Sequence, residues 1–152
     1  MLLRRATMND AEVVLEWRND EDTRAMSRDG APIARAQHLR WFEAAVADSN
    51  RRLLIAEIAG RKVGMVRFDR DGEAWEVSIN VAPTERSRGL GRAMLAAGVA
   101  CLLKEVGPTA ILADILESNA RSVRVFEAVG FRRLNPQGAA ILRYERPAAA
   151  GP

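Results

Sequence analysis

The chain has 152 residues, of which 48% are hydrophobic and 28% are charged, a balance that predicts one folded domain and excludes a disordered chain. The formal net charge of +3 is a mild excess of basic residues. A basic pocket for a phosphorylated small molecule explains this excess more locally than a nucleic-acid partner does. We therefore expect no nucleic-acid ligand.

The single cysteine, Cys101, cannot form an intrachain disulfide and lies in the apolar run 93–103. We expect it to be a buried residue in a reducing compartment. Met1-Leu2-Leu3 is followed at once by two arginines, which leaves no core for a signal peptide. The apolar run is too short to span a bilayer, so we expect a cytoplasmic protein without membrane contact.

Hydrophobic periodicity predicts eleven elements in the order β, α, α, β, β, β, α, β, α, β, β. The expected helices cover 7–20, 35–48, 89–105 and 119–129. The expected strands cover 2–5, 52–58, 62–70, 74–81, 110–116, 131–134 and 140–145. This order predicts a mixed α/β (α+β) domain over residues 1–146, with helices on both faces of one sheet. The Ala/Gly/Pro-rich tail, 147–152, is expected to be frayed.

The segment Arg86-Ser87-Arg88-Gly89-Leu90-Gly91-Arg92 precedes the long third helix. A helix N-terminus offers unpaired N–H groups and the positive end of the helix dipole. The two glycines let a phosphate approach the backbone, and the three arginines add positive charge. We interpret the segment as a pyrophosphate site. The alternative is a glycine-containing helix start with solvated arginines.

Two other phosphate-binding motifs do not fit this segment. A dinucleotide-binding fingerprint needs a third glycine at the position of Met94. A Walker loop needs Gly-Lys followed by Ser or Thr, which this segment lacks.

Two blocks of sequence resemble the GNAT acetyltransferase superfamily. Arg-x-x-Gly-x-Gly at 86–91 is similar to its acetyl-CoA signature, and the segment 119–131 is similar to its second conserved block. The resemblance covers nearly the whole chain and implies a GNAT fold, acetyl-CoA as cosubstrate, no metal, and transfer of acetyl to an amine. The cofactor site that it implies is made of Ile79, Asn80, Val81, Arg86, Ser87, Arg88, Gly89, Leu90, Gly91, Arg92, Asn119, Ser122 and Phe126.

The attacking amine must lose a proton, so a general base is needed. Glu76, on the polar side of the fourth strand, and Asp114, on the fifth, are the two candidates. Asp114 matches a position where some GNAT enzymes acting on protein N-termini carry a Glu. Phe126 stands where the family often has a Tyr general acid, and we expect it to pack against the cofactor. Tyr144 is a weaker candidate acid, and a core role for it is equally open.

The N-terminal half is expected to select the acceptor. Its Trp-Arg-Asn and His-Leu-x-x-Phe pattern resembles acetyltransferases of nucleotide-linked amino sugars in the pseudaminic-acid pathway, and more loosely those of ribosomal-protein N-termini. Arg28 is a further candidate for pairing with phosphates. Core packing of the aromatic residues is the alternative. The candidate acceptor residues are Trp17, Arg18, Asn19, His38, Trp41 and Phe42.

We therefore expect a small-molecule amine as substrate, and in the first place a nucleotide-linked amino sugar. We expect the protein to be either a monomer or a homodimer. A peptide N-terminus or another small amine is the alternative acceptor. A non-catalytic module that binds coenzyme A or nucleic acid is the outside alternative.

Overall fold

A computed structural model describes residues 1–27, 29–135 and 138–148. Within these ranges, seven strands form one sheet in the order β1-β2-β3-β4-β5-β7-β6. Neighbouring strands are antiparallel except for β4 and β5, which are parallel. The strands are β1 (Leu2–Arg5), β2 (Arg51–Ile58), β3 (Arg61–Asp71), β4 (Ala74–Val81), β5 (Ile111–Leu116), β6 (Arg132–Arg133) and β7 (Ile141–Arg146).

The same ranges contain five α-helices, which confirms the predicted α+β architecture and adds one short helix, α2, to the four that the sequence predicts. The helices are α1 (Ala11–Asn19), α2 (Glu21–Ala25), α3 (Arg35–Ala47), α4 (Leu90–Val106) and α5 (Ala120–Ala128). The short α2 lies in a segment expected to be mainly a loop. The Asp20 side chain caps it by accepting a hydrogen bond from the Thr23 backbone N–H at 3.1 Å.

The two faces of the sheet bury separate apolar clusters. One cluster joins α4 and α5 to the sheet around Val66, Phe68 and Leu95. The other joins α1 and α3 to the opposite face around Val14 and Phe42. Side chains alternate between the faces along each strand, which is why one sheet can hold both clusters together. No helix within the described ranges is both long enough and apolar enough to cross a membrane.

The expectation that Cys101 is buried is wrong, because this residue is exposed. It lies on the outer face of α4 beside Ala100 and Lys104, which are also exposed. The apolar run of α4 predicted burial all round. Its outer face instead carries small alanines, which leave little apolar surface in water and are tolerated there.

A buried carboxylate, Asp10, fixes the start of α1 to the sheet. It is 0% exposed. The Arg4 guanidinium donates to it at 2.8 and 2.9 Å, and the Lys62 ammonium lies 2.8 Å away. The Thr7 backbone N–H also donates to it at 2.8 Å. Burial alone would raise the pKa of the Asp10 carboxyl, but these three donors outweigh burial and hold that pKa far below its usual range.

We expect Asp10→Asn to lower the free energy of unfolding at pH 7 by about 3 kcal/mol, because it leaves two cations without their buried partner. The wild-type contribution is complete above the unfolded carboxyl pKa of about 4 and is lost as the pH falls below it. Urea unfolding at pH 7 and at about pH 3, below the unfolded carboxyl pKa, measures both effects. The exposed Glu43→Gln is the control. Equal stability of Asp10→Asn and wild type would contradict the prediction.

Candidate functional site

The parallel strands β4 and β5 separate soon after they meet. Within the described residues they are in register only at Trp75–Ile111 and Glu76–Leu112. Strand β4 continues to Val81 and stays paired with β3 along that whole length. The two strands therefore enclose a gap in the middle of the sheet.

The backbone of β4 presents hydrogen-bonding groups to this gap. The Trp75 N–H donates toward the β5 side, to the Ala110 carbonyl at 3.1 Å, whereas the Ala82 N–H donates toward β3, to the Val63 carbonyl at 2.8 Å. Because these directions alternate along a strand, the odd-numbered residues beyond Trp75 turn their N–H and C=O groups toward the gap. These residues are Val77, Ile79 and Val81.

The loop after β4 brings a helix N-terminus to the end of the gap. Ser87 has φ 66° and Gly89 has φ 73°, so the loop turns twice through the left-handed region before α4 begins at Leu90. Gly89 stands at the N-cap position of α4, and no side-chain cap hydrogen bond is formed there by the part of the chain that the structure describes. The N–H groups of its first turn are therefore directed at the space in front of the helix, which is the geometry that binds anions.

Two of the three loop arginines have partners within the protein. The Arg86 guanidinium donates to Asp20 at 2.8 Å and to the Thr23 hydroxyl at 2.6 Å. Arg88 donates to Glu85 at 3.1 Å. Arg92 is exposed, and the described residues offer it no ion-pair partner. The positive charge expected from the three arginines is thus balanced by carboxylates at Arg86 and Arg88, and the role of all three at a pyrophosphate stays a prediction.

The opposite wall of the gap is the start of α5. The Asn119 side chain caps this helix by accepting from the Ser122 N–H at 3.2 Å, which is its alternative role as an N-cap. Phe126 is 3% exposed and its ring centroid lies 5.0 Å from that of Phe131. The ring is therefore largely enclosed by the core, and its contact with a cofactor stays a prediction.

Gly91 lies where α4 meets the wall of the gap. A Cβ at this position would meet the Val125, Ile79 and Val81 side chains at 3.6–3.7 Å, in ordinary van der Waals contact. The position therefore adjoins apolar side chains between β4 and α5. The Asn80 side chain belongs to the other face of β4, in register with Met65 of β3.

The two candidate bases, Glu76 and Asp114, share that other face with Arg143. Arg143 donates to both oxygens of Asp114 at 3.0 Å. It lies 3.9 Å from a Glu76 oxygen and 3.6 Å from Asp71. The Glu76 side chain is 38% exposed against 10% for Asp114, so Glu76 is the more accessible of the two carboxylates.

Tyr144 lies on the opposite face and is 2% exposed. Its hydroxyl donates to the Glu127 carboxylate at 2.9 Å. Burial, followed by this hydrogen bond, raises the pKa of the Tyr144 hydroxyl. The placement favours its alternative role as a core residue.

Three of the candidate acceptor residues are structural. Trp17 and Phe42 are 5% and 0% exposed and pack in the cluster between α1, α3 and the sheet. The Asn19 side chain exchanges two hydrogen bonds with the Ile33 backbone at 2.7 and 2.9 Å, which holds the loop after α2. This placement favours core packing, the alternative that the sequence leaves open for the two aromatic residues, and contact of these three residues with an acceptor stays a prediction. Arg28 lies outside the described residues, as does the end of the tail, 149–152.

His38 lies beneath Arg18 and is 0% exposed. Its Nε2 lies 2.8 Å from the Ala11 carbonyl oxygen, which accepts only, so Nε2 carries the hydrogen. Nδ1 then accepts from the Arg18 guanidinium at 3.0 Å. Burial, and next the Arg18 charge, lower the pKa of His38, while the Ala11 carbonyl opposes them. His38 is therefore a neutral support for Arg18 and does not itself reach the surface.

Two arginines lie on the ring of Trp41. The Arg18 Cζ is 4.4 Å from the ring centroid, and the Arg67 Cζ is 5.4 Å from it. Sequence reasoning did not select Arg67. The sequence pattern that could have identified Arg67 is Val66-Arg67-Phe68 in β3. Because side chains alternate along a strand, Arg67 points to the face opposite its two buried neighbours. The described residues contain no group of three or more His, Cys, Asp or Glu side chains placed to hold a metal ion.

Comparison with known proteins agrees with this geometry. Residues 1–132 match the family described as Acetyltransferase (GNAT) domain. The chain is 31% identical over 139 residues to L-2,4-diaminobutyric acid acetyltransferase of Nocardia farcinica, covering 87% of this chain and 65% of that protein. It is 34% identical over 109 residues to mycothiol acetyltransferase of Thermobispora bispora, covering 66% of this chain and 35% of that protein. The chain thus spans less than two thirds of the length of these curated relatives.

A solved structure shares the fold. Spermidine N-acetyltransferase from Vibrio cholerae, in complex with CoA and spermine, gives a TM-score of 0.84 at 14% identity. The likeness covers 95% of this chain and 93% of that one. At this identity it is a likeness of fold.

The chain contains one histidine, so its imidazole can be followed by nuclear magnetic resonance without assignment. We expect a neutral Nε2–H ring at pH 7 and a titration midpoint below the ordinary value of about 6.5. Arg18→Gln removes one positive neighbour, so the midpoint should rise, whereas the exposed Arg40→Gln should not change it. Because the folded-state pKa is lowered, the stability that His38 contributes is complete above about pH 6.5 and decreases below it. A doubly protonated ring at pH 7 would refute this assignment.

Proposed function

The chain belongs to the Acetyltransferase (GNAT) domain family, and we propose that it transfers an acetyl group from acetyl-coenzyme A to a primary amine. The observation that carries the proposal is the gap between β4 and β5, which opens toward an uncapped helix N-terminus. The bound CoA of the Vibrio cholerae structure, which has the same fold, supports acetyl-CoA as the cosubstrate.

The residues present fit this cosubstrate in two places. The extended pantetheine arm contains amides, which would pair with the free backbone groups of Ile79 and Val81 as an added strand does. The pyrophosphate would accept from the N–H groups of the first turn of α4, with Arg92 nearby as a cation that has no ion-pair partner among the described residues. Ser87 and Gly89 would contribute to pyrophosphate binding through their left-handed backbone conformation, which gives the loop before α4 its shape.

The reaction needs an amine that has lost its proton. The neutral nitrogen attacks the thioester carbonyl carbon, the C–N bond forms, and the C–S bond breaks. The amine proton passes to a carboxylate, directly or through water, and Glu76 is the proposed acceptor because it is the more exposed of the two candidates. The leaving thiol has a pKa of about 8.5 and can depart as thiolate with modest help.

The identity of the acceptor amine is a second and more specific part of the proposal. The N-terminal sequence pattern resembles that of acetyltransferases for nucleotide-linked amino sugars, which makes such a sugar one acceptor to assay. The Nocardia farcinica relative is named for L-2,4-diaminobutyric acid, which makes that compound the first small amine to assay. A peptide with a free N-terminus is the third acceptor to test in the same assay.

We expect Gly89→Val to weaken acetyl-CoA binding at least tenfold. Valine is strained at φ 73°, and relief of that strain would move the N–H groups that meet the pyrophosphate. Isothermal titration calorimetry on the folded variant measures the dissociation constant.

Gly72→Val is the matched control. Gly72 also has a positive φ, 60°, with open space around it, but it lies in the β3–β4 turn. Both variants should lose similar stability, and only the Gly89 variant should lose affinity. Equal affinities in the two variants would place the cofactor elsewhere.

We expect Glu76→Gln to lower kcat about 100-fold at neutral pH, the ordinary contribution of a general base. Activity should recover partly at higher pH, where more free amine exists. Thiol release with the best amine of the acceptor assay gives the pH–rate profile. Asp114→Asn is the comparison, because it removes the Arg143 ion pair and keeps Glu76.

The alternatives have distinct results. A kcat loss confined to Asp114→Asn would move the role of base to Asp114. An unchanged profile in both variants would indicate a relay of water or backbone groups. Acetyl-CoA binding without thiol release for any amine would support a non-catalytic module.

A further inference from the structure

The acceptor side of the gap carries a positive charge that the protein leaves unmatched. Arg18 is partly buried, and none of the described residues places a carboxylate within ion-pair distance of it. Its polar partner is neutral His38. A partly buried cation without a counter-ion is costly, so an arriving anion would be favoured.

Arg67 adds a second, half-matched charge. Its Nε lies 3.0 Å from Asp69 Oδ2 as an ion pair but is not aligned for a hydrogen bond. Among the described residues, this Nε and the other Asp69 oxygen, Oδ1, are both buried without a hydrogen-bond partner. Burial lowers the pKa of Arg18, and the Arg67 charge lowers it further, as expected for two cations held together. Trp41, between them, supplies a flat apolar floor.

This cluster of Arg18, Trp41 and Arg67 adjoins the gap. Arg67 is opposite Ser78 in the β3–β4 register, and Ser78 lies two residues beyond Glu76, the last residue of β4 paired with β5. Residues opposite each other in register share a face, so Arg67 lies on the same face as Glu76. Neighbouring strands are about 4.8 Å apart, which puts the cluster on the order of 5–10 Å from the gap.

We propose that Arg18 and Arg67 bind a carboxylate of the acceptor, which makes the acceptor a small amino-acid-like amine. The inference rests on the proposed acetyl transfer. Its amine would lie at the gap near Glu76, and its carboxylate would lie on the Trp41 floor. Only one of the two guanidinium groups lacks an acidic partner, which matches the single charge and planar fork of a carboxylate. A nucleotide pyrophosphate carries at least two charges and would leave one of them unpaired.

The test compares L-2,4-diaminobutyrate with its neutral carboxamide, L-2,4-diaminobutyramide. Wild type should show a KM at least tenfold lower for the acid. Arg18→Gln should remove that difference by raising the KM of the acid at least tenfold, whereas the acetyl-CoA affinity should stay nearly unchanged. Arg18→Lys, which keeps the charge, should restore part of the difference. Arg40→Gln, an exposed arginine on α3, should behave as wild type.

A second measurement does not require turnover. Arg18 donates to His38, so a carboxylate that binds Arg18 should shift the single imidazole signal. Diaminobutyrate should shift this signal in wild type, and the carboxamide should not. A shift without acetyl transfer would refute the proposed function and leave the carboxylate site standing.

Two results would overturn the proposal. An equal rise in KM for acid and carboxamide in Arg18→Gln would show that Arg18 only supports the structure. Turnover of a nucleotide-linked 4-amino sugar that depends on Arg18, with no turnover of diaminobutyrate, would assign the cluster to phosphate.

Discussion

The parting of β4 and β5 is the constraint on which the site depends. Only two residue pairs join these parallel strands before they diverge, and the gap falls within a sheet whose other strands are joined by antiparallel pairs. Open backbone groups inside a sheet are costly unless something pairs with them. The core nevertheless keeps the strands apart, because α4 and α5 fill the space behind the gap with side chains such as Leu95 and Phe126. The fold thus maintains a row of hydrogen-bonding positions that a ligand can complete.

The two sides of the sheet contribute different chemistry to the same gap. The side of α4 and α5 provides the uncapped helix N-terminus and an apolar wall. The other side carries opposite charges at two places, with Arg18 and Arg67 on the Trp41 ring and the carboxylates Glu76 and Asp114 around Arg143. A cosubstrate and an acceptor can therefore approach from opposite faces and meet where the sheet is open.

One ion pair connects these regions. Arg86 belongs to the loop before α4, and its partner Asp20 caps α2 on the acceptor side. The Arg86 hydrogen bond, followed by smaller contributions that include the Thr23 N–H, lowers the pKa of the Asp20 carboxyl. Asn19, next to the cap, holds the loop at Ile33. Through these contacts, the loop before α4 and the segment that follows Arg18 are held in fixed positions relative to each other.

Much of the fold could be predicted because its signals are local. Asp71-Gly72 gives the hairpin, alternation gives β4, and the glycine-spaced arginine loop marks the start of α4. The site was predicted less well, because a side chain's role depends on partners distant in sequence. Arg86 meets Asp20 across 66 positions, and nothing local distinguishes it from Arg92. Trp17 and Trp41 look alike in the sequence, yet helix packing buries Trp17 and leaves Trp41 partly exposed.

The distribution of partners, more than the number of arginines, decides where an anion can bind. Sequence reasoning assigned the cofactor's charge to Arg86, Arg88 and Arg92, but the first two already face Asp20 and Glu85. In the proposed site, backbone N–H groups and Arg92 would then meet most of the pyrophosphate charge, which is the ordinary role of a helix N-terminus. On the acceptor side the situation is reversed, because Arg18 is held by a neutral imidazole that orients it without cancelling its charge. A positively charged side chain that is positioned but not neutralised is available for a ligand, and we propose that Arg18 has this role for the acceptor.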